Sequence, residues 1–255
     1  MRLAAYQFGV TGDIKHNMET IGKAIGLAAE KKAELIVFPE CAVTGYPSRD
    51  IDKAENIDNA SVENALKALQ GLSDKLGISI IVGAAVFDEK YYNRAYLFTP
   101  EQKDAWYGKR ALYGWDVENF TPGTENGIFK LGGLNIGVRI CFEVRFPEYF
   151  RELYRAHTDL DIVLFYDVAD TDDTERYILI KSHLLTRAVE NVTPFLSVNA
   201  TLPFQTAPTC VINASGKVLA EHERNVEGLL IYDFEKAEPN FGEKGRILYS
   251  DMLSV

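Results

Sequence analysis

Four histidines in 255 residues, His16, His157, His183 and His222, stand too far apart for metal-ligand spacing. The chain has no G-x-x-x-x-G-K-[ST] loop, no G-x-G-x-x-G turn and no C-x-x-C pair, so phosphate-loop, dinucleotide and zinc-ribbon chemistry lack a foundation. A serine hydrolase would want a G-x-S-x-G elbow, and there is none. Only three cysteines occur, Cys41, Cys141 and Cys210, an odd number that reads as free thiols in a reducing compartment and predicts the cytoplasm. No apolar run approaches the roughly 18 residues of a membrane span, and no basic segment with an apolar follow-on predicts a secretory signal. The net charge of −10 argues against nucleic acid as a partner, since phosphate binding needs clustered Lys and Arg.

What is present is regular alternation. Apolar strand-like runs cover Leu3–Phe8, Leu35–Phe38 and Ile78–Val86, with Tyr92–Phe98 as the second arm of a hairpin. Between them Met18, Ile21, Ile25 and Ala28, then Val62, Leu66, Leu69 and Leu72, recur at helical spacing. "LNIGVRIC", "DIVLFY" and "PFLSVNA" repeat the design later, separated by helices near Pro147–Ala156 and Asp173–Glu190. This predicts one α/β domain over residues 1–255, made of two pseudo-symmetric halves whose sheets pack face to face with helices outside. The stretch 235–255 has little periodicity and reads as a C-terminal arm on the surface or on a partner subunit.

Three places put a reactive group at the C-terminal edge of a strand, where α/β sheets usually carry their sites. Glu40 follows "LIVFP", Lys109 follows a short aromatic strand with Glu118 in the loop beyond, and Cys141 ends "LNIGVRIC". Singly, each has a plain reading: two solvated charges, and a thiol packed as a small hydrophobe. Together they can do chemistry. A carboxylate in a dry pocket has a raised pKa and can take a thiol proton, and an ammonium beside it favours the oxyanion of a tetrahedral intermediate.

With "FPECAVTGY", "YGKRALYG", "ENFTPG", "GVRICFEVRFPE", "TRAVENVTPFLSVNA" and "ASGKVLAE" in one order along the chain, the sequence resembles the nitrilase superfamily of carbon–nitrogen hydrolases over nearly its whole length. That resemblance implies an αββα sandwich. It also implies Glu40 as general base, Lys109 as oxyanion-stabilising lysine, Cys141 as nucleophile and Glu118 as a second glutamate positioning substrate and lysine. The Phe142 amide would complete the oxyanion hole. Implied too are hydrolysis of a small aliphatic amide through a thioester, no cofactor or metal, and a homodimer or higher even oligomer. An N-carbamoyl amine or amino-acid hydrolase is the neighbouring alternative, and a catalytically silent binding subunit of the same fold is the alternative from another class. Glu143 and Arg145 are candidates for substrate contact or for local ion pairs.

The chain departs from the family pattern after "DIVLFY", where "YDVADTDDTERY" replaces proline and small residues, and at Leu179 and Ile180, where many members carry His-Trp. Asp167, Asp170, Asp172, Asp173 and Glu175 crowd this loop. One reading is a solvated loop capping the helix that follows; the other is a set of carboxylates at the pocket mouth that attract a cationic substrate.

Overall fold

The computed structural model describes residues 1–100 and 105–253. The first half runs β1 (Arg2–Gln7), α1 (Ile14–Glu30), β2 (Leu35–Val37), α2 (Asn59–Leu76), β3 (Ser79–Asp88), β4 (Lys90–Phe98), β5 (Ala105–Gly108) and α3 (Trp115–Asn119). The second runs β6 (Ile128–Leu131), β7 (Leu134–Ile140), α4 (Pro147–Arg155), β8 (Leu160–Phe165), β9 (Val168–Ala169), α5 (Thr174–Asn191), β10 (Phe195–Asn199), β11 (Phe204–Gln205), β12 (Cys210–Ile212), β13 (Val218–Glu221), β14 (Gly228–Asp233) and α6 (Phe241–Leu253). Among the described residues β14-β1-β2-β3-β4-β5 form one six-stranded sheet and β13-β12-β10-β8-β7-β6 another, with β11-β9 as a small ribbon. Strand β14 closes the first sheet beside β1, so the end of the second half completes the first.

Strand alternation builds the layers. Leu3, Ala5, Leu35 and Val37 of one sheet meet Val138, Ile140, Ile162 and Leu164 of the other in a core between the sheets. Ala4, Ile36 and Phe38, pointing the opposite way, pack with Ile21 and Ile25 of α1 and Leu69 of α2. Val163 and Phe165 likewise meet Phe150 of α4 and Leu184 of α5. The result is the αββα sandwich.

Helix boundaries follow from capping chemistry. The Asp13, Asp58 and Asp173 carboxylates accept from the exposed first-turn amides of α1, α2 and α5, and Gly77 closes α2 at φ 64°. The C-terminal stretch differs from the expected weakly periodic arm. Phe234 is buried between the sheets, and α6 docks on its own chain through Arg151–Ser250 and Tyr154–Asp251 hydrogen bonds. Its inward residues are polar, Glu243 and Ser250, which hides the usual apolar period from a sequence reading. Residues 254–255 of that expected arm lie outside the described residues.

Candidate active site

Strands β1, β2 and β3 run parallel, and β5 shares their direction because two antiparallel steps separate it from β3. Strands β7, β8 and β10 are parallel in the other sheet. Glu40, Lys109, Cys141 and Tyr166 all follow the C-terminal ends of such strands, and a cross-sheet bond from the Glu40 amide to the Phe165 carbonyl (3.3 Å) joins the two edges.

Glu40 is fully buried and each of its oxygens is occupied. Oε1 accepts from Lys109 Nζ and from Asn93 Nδ2, both at 2.7 Å, and Oε2 accepts from the Tyr166 amide at 2.9 Å. Gly83 on β3 makes this turn possible: a Cβ there would come within 2.6 Å of the Glu40 Cα and 2.5 Å of the Cys41 nitrogen, both backbone atoms that cannot swing aside. Burial raises the Glu40 pKa above its ordinary range, against the pull of Lys109. Burial works against the Lys109 charge too, but Glu40, Tyr46 and Asp116 outweigh it and hold the ammonium well above its usual pKa.

Asp116 is the second carboxylate on that ammonium, at 2.7 Å, and it also accepts from the Tyr46 hydroxyl. This corrects the expectation for Glu118. On the short helix α3, residues two apart face different ways, so burying Asp116 against Lys109 turns Glu118 out to an exposed position. Glu118 lines a separate open groove with Ser48, Asp52 and Trp115.

Cys141 opens the helical turn Cys141–Arg145 directly after β7, at φ 45°, a left-handed backbone that non-glycine residues seldom adopt. Burial, then Glu40, push its thiol well above the ordinary range, against the pull of Lys109. Phe142, second in the turn, has an amide without a partner inside its own helix and a ring stacked on Tyr113 at 5.6 Å. Cys41 also sits at positive φ (51°), in a turn rather than on a strand, and is sealed in the helix-facing core. Cys210 is buried against Ser197.

Glu143 does not face the substrate space. Its Oε1 accepts from the Tyr107 hydroxyl and the Arg110 amide, and its Oε2 from the Ile140 amide. A buried carboxylate spent in this way ties the Lys109 loop to the Cys141 turn. Arg145 stacks its guanidinium on the Phe142 ring at 5.8 Å, outside the residues that line the cavity. Sequence reading did not find Asn93, Tyr46 or Asp116; the first two carry no signal of their own, while Asp116 stands two residues before the glutamate it replaces.

Lys109, Asp116 and Cys141 line one cavity of about 210 Å³, with Tyr46, Arg49, Tyr113, Trp115, Phe142, Tyr166, Asp167, Val168 and Arg176 as its walls. Of the loop carboxylates only Asp167 belongs to it, and its Oδ1 already accepts from Arg176 Nε (2.8 Å) and the Thr206 hydroxyl. Asp170 pairs with Arg49, Asp172 with Arg224, and Asp173 caps α5, while Glu175 is exposed. Asp167, Asp170 and Asp172 are therefore each paired with an arginine, while Asp173 serves the helix end. Among the described residues no group of His, Cys, Asp and Glu could hold a metal ion, and no helix is long and apolar enough to cross a membrane.

Several known proteins are similar to this chain in structure or in sequence. An amidase from Nesterenkonia sp. superimposes with a TM-score of 0.81 at 25% identity, covering 92% of this chain and 90% of its own. A form of it that carries acrylamide added to its active-site cysteine does so at 0.82, again at 25% identity, covering 92% of this chain and 93% of its own. The 2-oxoglutaramate amidase of Bacillus subtilis is 29% identical over 217 residues, 82% of this chain and 80% of that protein. A Mycobacterium tuberculosis hydrolase is 31% identical over 173 residues, 63% of this chain but only 59% of the relative's length. Residues 2–238, which hold Glu40, Lys109, Asp116 and Cys141 alike, match the carbon–nitrogen hydrolase family, and the chain belongs to that family.

Proposed function

We propose that this chain is an amidase that cleaves small aliphatic amides through a thioester on Cys141, releasing ammonia and a carboxylic acid. The observation that carries this reading is the Lys109 ammonium clamped between Glu40 and Asp116 in the cavity that Cys141 lines. Glu40, its pKa raised by burial, takes the Cys141 proton as sulfur attacks the amide carbonyl. Lys109 and the Phe142 amide stabilise the oxyanion. Glu40 returns the proton to the departing nitrogen, the C–N bond breaks, and ammonia leaves. Glu40 then takes a proton from water, hydroxide adds to the thioester, and the C–S bond breaks with the thiolate regaining the proton. Asn93 and Asp116 hold base and lysine in place throughout.

The test is intact mass on a quenched reaction, paired with ammonia release. Wild type should carry an acyl adduct on Cys141, and Cys141→Ala, a small truncation at a cavity edge, should stay folded without adduct or ammonia. A folded Cys141→Ala that keeps most of the wild-type rate overturns the assignment. A silent binding subunit would show no adduct in either protein.

The same reading includes a homodimer or higher even oligomer. Helix α6 exposes Phe241, Leu248, Tyr249, Met252 and Leu253, with Ile178 and Leu179 exposed on neighbouring α5, apolar side chains that a partner copy would cover. Three unpaired thiols fit a cytoplasmic setting.

A further inference from the structure

Strand β4 alternates between two cores. Ala95 and Leu97 face the core between the sheets, while Tyr92, Tyr96 and Phe98 belong to the core under α1 and α2. Asn93 continues the inward series, so the strand carries a primary amide, 1% exposed, where its pattern calls for an aliphatic side chain. Its Nδ2 donates to Glu40 Oε1 at 2.7 Å, and its Oδ1 has no hydrogen-bond partner among the described residues. A buried acceptor left alone costs stability that a leucine would not. The side chain is thus held by one bond, and that bond goes to Glu40. Its main chain meets the site as well, since the Asn93 carbonyl accepts from the Lys109 amide at 2.8 Å.

Both Glu40 oxygens accept hydrogen bonds, but not equally. A carboxylate oxygen offers roughly two acceptor positions. Oε1 fills both, with Lys109 Nζ and Asn93 Nδ2 each at 2.7 Å. Among the described residues Oε2 takes a single donor, the Tyr166 amide at 2.9 Å, and keeps a position open. A proton leaving the Cys141 thiol needs a free lone pair, and Oε2 is the oxygen that has one. The terminal torsion of a glutamate is broad, so hydrogen bonds rather than rotamer preference set which oxygen meets the thiol. Burial raises the Glu40 pKa, and the Asn93 bond is among the contacts that pull it back.

We propose that Asn93 is a positioning residue that selects the base atom of Glu40. Together with Lys109 it saturates Oε1, which leaves Oε2 to take the Cys141 proton and to return it to the departing nitrogen. Asn93 is not among the residues lining the cavity and acts through Glu40. This inference rests on the amidase reading and adds the oxygen that moves the proton and the group that fixes it.

The experiment measures kcat/KM against pH for a short aliphatic amide with wild type, Asn93→Leu and Asn93→Ala, beside urea unfolding of each. In both variants the plateau above the acid midpoint should fall by about 10- to 100-fold, because the carboxylate is no longer held with Oε2 toward the thiol. The acid midpoint should rise by about one pH unit, because a donor that favours the charged form is gone. A packing role alone would lower the urea midpoint and leave the acid midpoint at its wild-type value, and that result overturns the inference. A shifted acid midpoint with an unchanged plateau removes the choice of oxygen, since Asn93 would then tune the base without orienting it. Loss as complete as that of Glu40→Gln also counts against it, because a residue that only orients the base leaves part of the rate. Wild-type turnover with any of these contrary results sinks this inference and keeps the amidase reading. Wild type without ammonia release or a Cys141 adduct overturns both. Should Asn93→Leu fail to fold, Asn93→Ala is read in the same way.

Discussion

Lys109 Nζ lies 2.7 Å from Glu40 Oε1, in a place where neither side chain is more than 1% exposed. The pair joins β5 to the turn after β2, and a second carboxylate, Asp116, sits equally close on the other side of the ammonium. One buried cation is thus shared by two buried carboxylates. Stability and chemistry are coupled at this point, because the groups that would move protons also hold the cavity together.

Removing the cation should separate from removing the base. Lys109→Met leaves Glu40 and Asp116 buried and unpaired, which should cost about 3–5 kcal/mol of stability as well as nearly all activity. Glu40→Gln keeps the Lys109–Asp116 pair and should abolish turnover with less than half that stability loss. Urea unfolding beside ammonia release checks both; equal destabilisation by the two variants would contradict the account.

Asp116 and Glu118 make a sharper comparison, since they are two residues apart. Asp116→Asn removes a charge from the Lys109 ammonium and should lower kcat/KM by about 10²-fold or more. Glu118→Gln, exposed and away from the lysine, should stay within about threefold of wild type, as surface substitutions usually do. A dead Glu118→Gln with an active Asp116→Asn would reverse the assignment.

The acid limb of the rate profile should report Glu40. It must be ionised to take the thiol proton, and burial raises its pKa above the ordinary value of 4.5, so kcat/KM should fall as pH drops through a midpoint above 4.5. On the alkaline side Lys109, held well above 10.5, should keep its proton, leaving no decline from that group below 10.5. An acid midpoint at or under 4.5 would remove Glu40 from the role.

Asp161 on β8 predicts a stability effect unrelated to catalysis. Neither of its oxygens has a hydrogen-bond partner among the described residues, and burial pushes its pKa from 3.8 to about 7, only partly offset by Thr158 and Arg139. The folded state therefore holds this proton more tightly than the unfolded chain. Its contribution is full below 3.8, declines as pH rises to about 7, and stays lost above that. At about 1.4 kcal/mol per pH unit, the decline is on the order of 4 kcal/mol. Asp161→Asn should flatten the urea-derived stability between those pH values and exceed wild type at the upper end. An identical pH slope in both proteins would show that Asp161 does not carry it.

Light scattering at micromolar concentration should give at least twice the 28.6 kDa chain mass. Replacing Leu248 and Met252 of α6 by Glu should shift the mass toward one chain, because charges in an apolar contact lose their hydration. A fully active monomer in wild type would count against the oligomer.

Local sequence determined more of this protein than its spacing alone suggests. Alternating apolar residues in Leu3–Phe8 and Leu134–Cys141 specified which strand faces look toward a second sheet and which toward helices, because side-chain direction has a period of two. The positions of Glu40, Lys109 and Cys141 at strand ends were legible for the same reason. Orientation beyond the strands was not. Whether Asp116 or Glu118 meets the lysine depends on how a single helical turn rolls against Tyr46 and Lys109, side chains that the fold brings from other elements. Glu143, two residues from the thiol in sequence, is consumed by Tyr107 of β5 and Arg110 of the loop after it. The acidic run 167–175 offered carboxylates to a ligand on paper, but Arg49 lies 121 residues from its partner Asp170, Arg224 reaches Asp172 from far down the chain as well, and only the folded chain places these guanidiniums beside those carboxylates. Charge pairing over such separations is a tertiary property: sequence lists the ions, and packing decides which remain available.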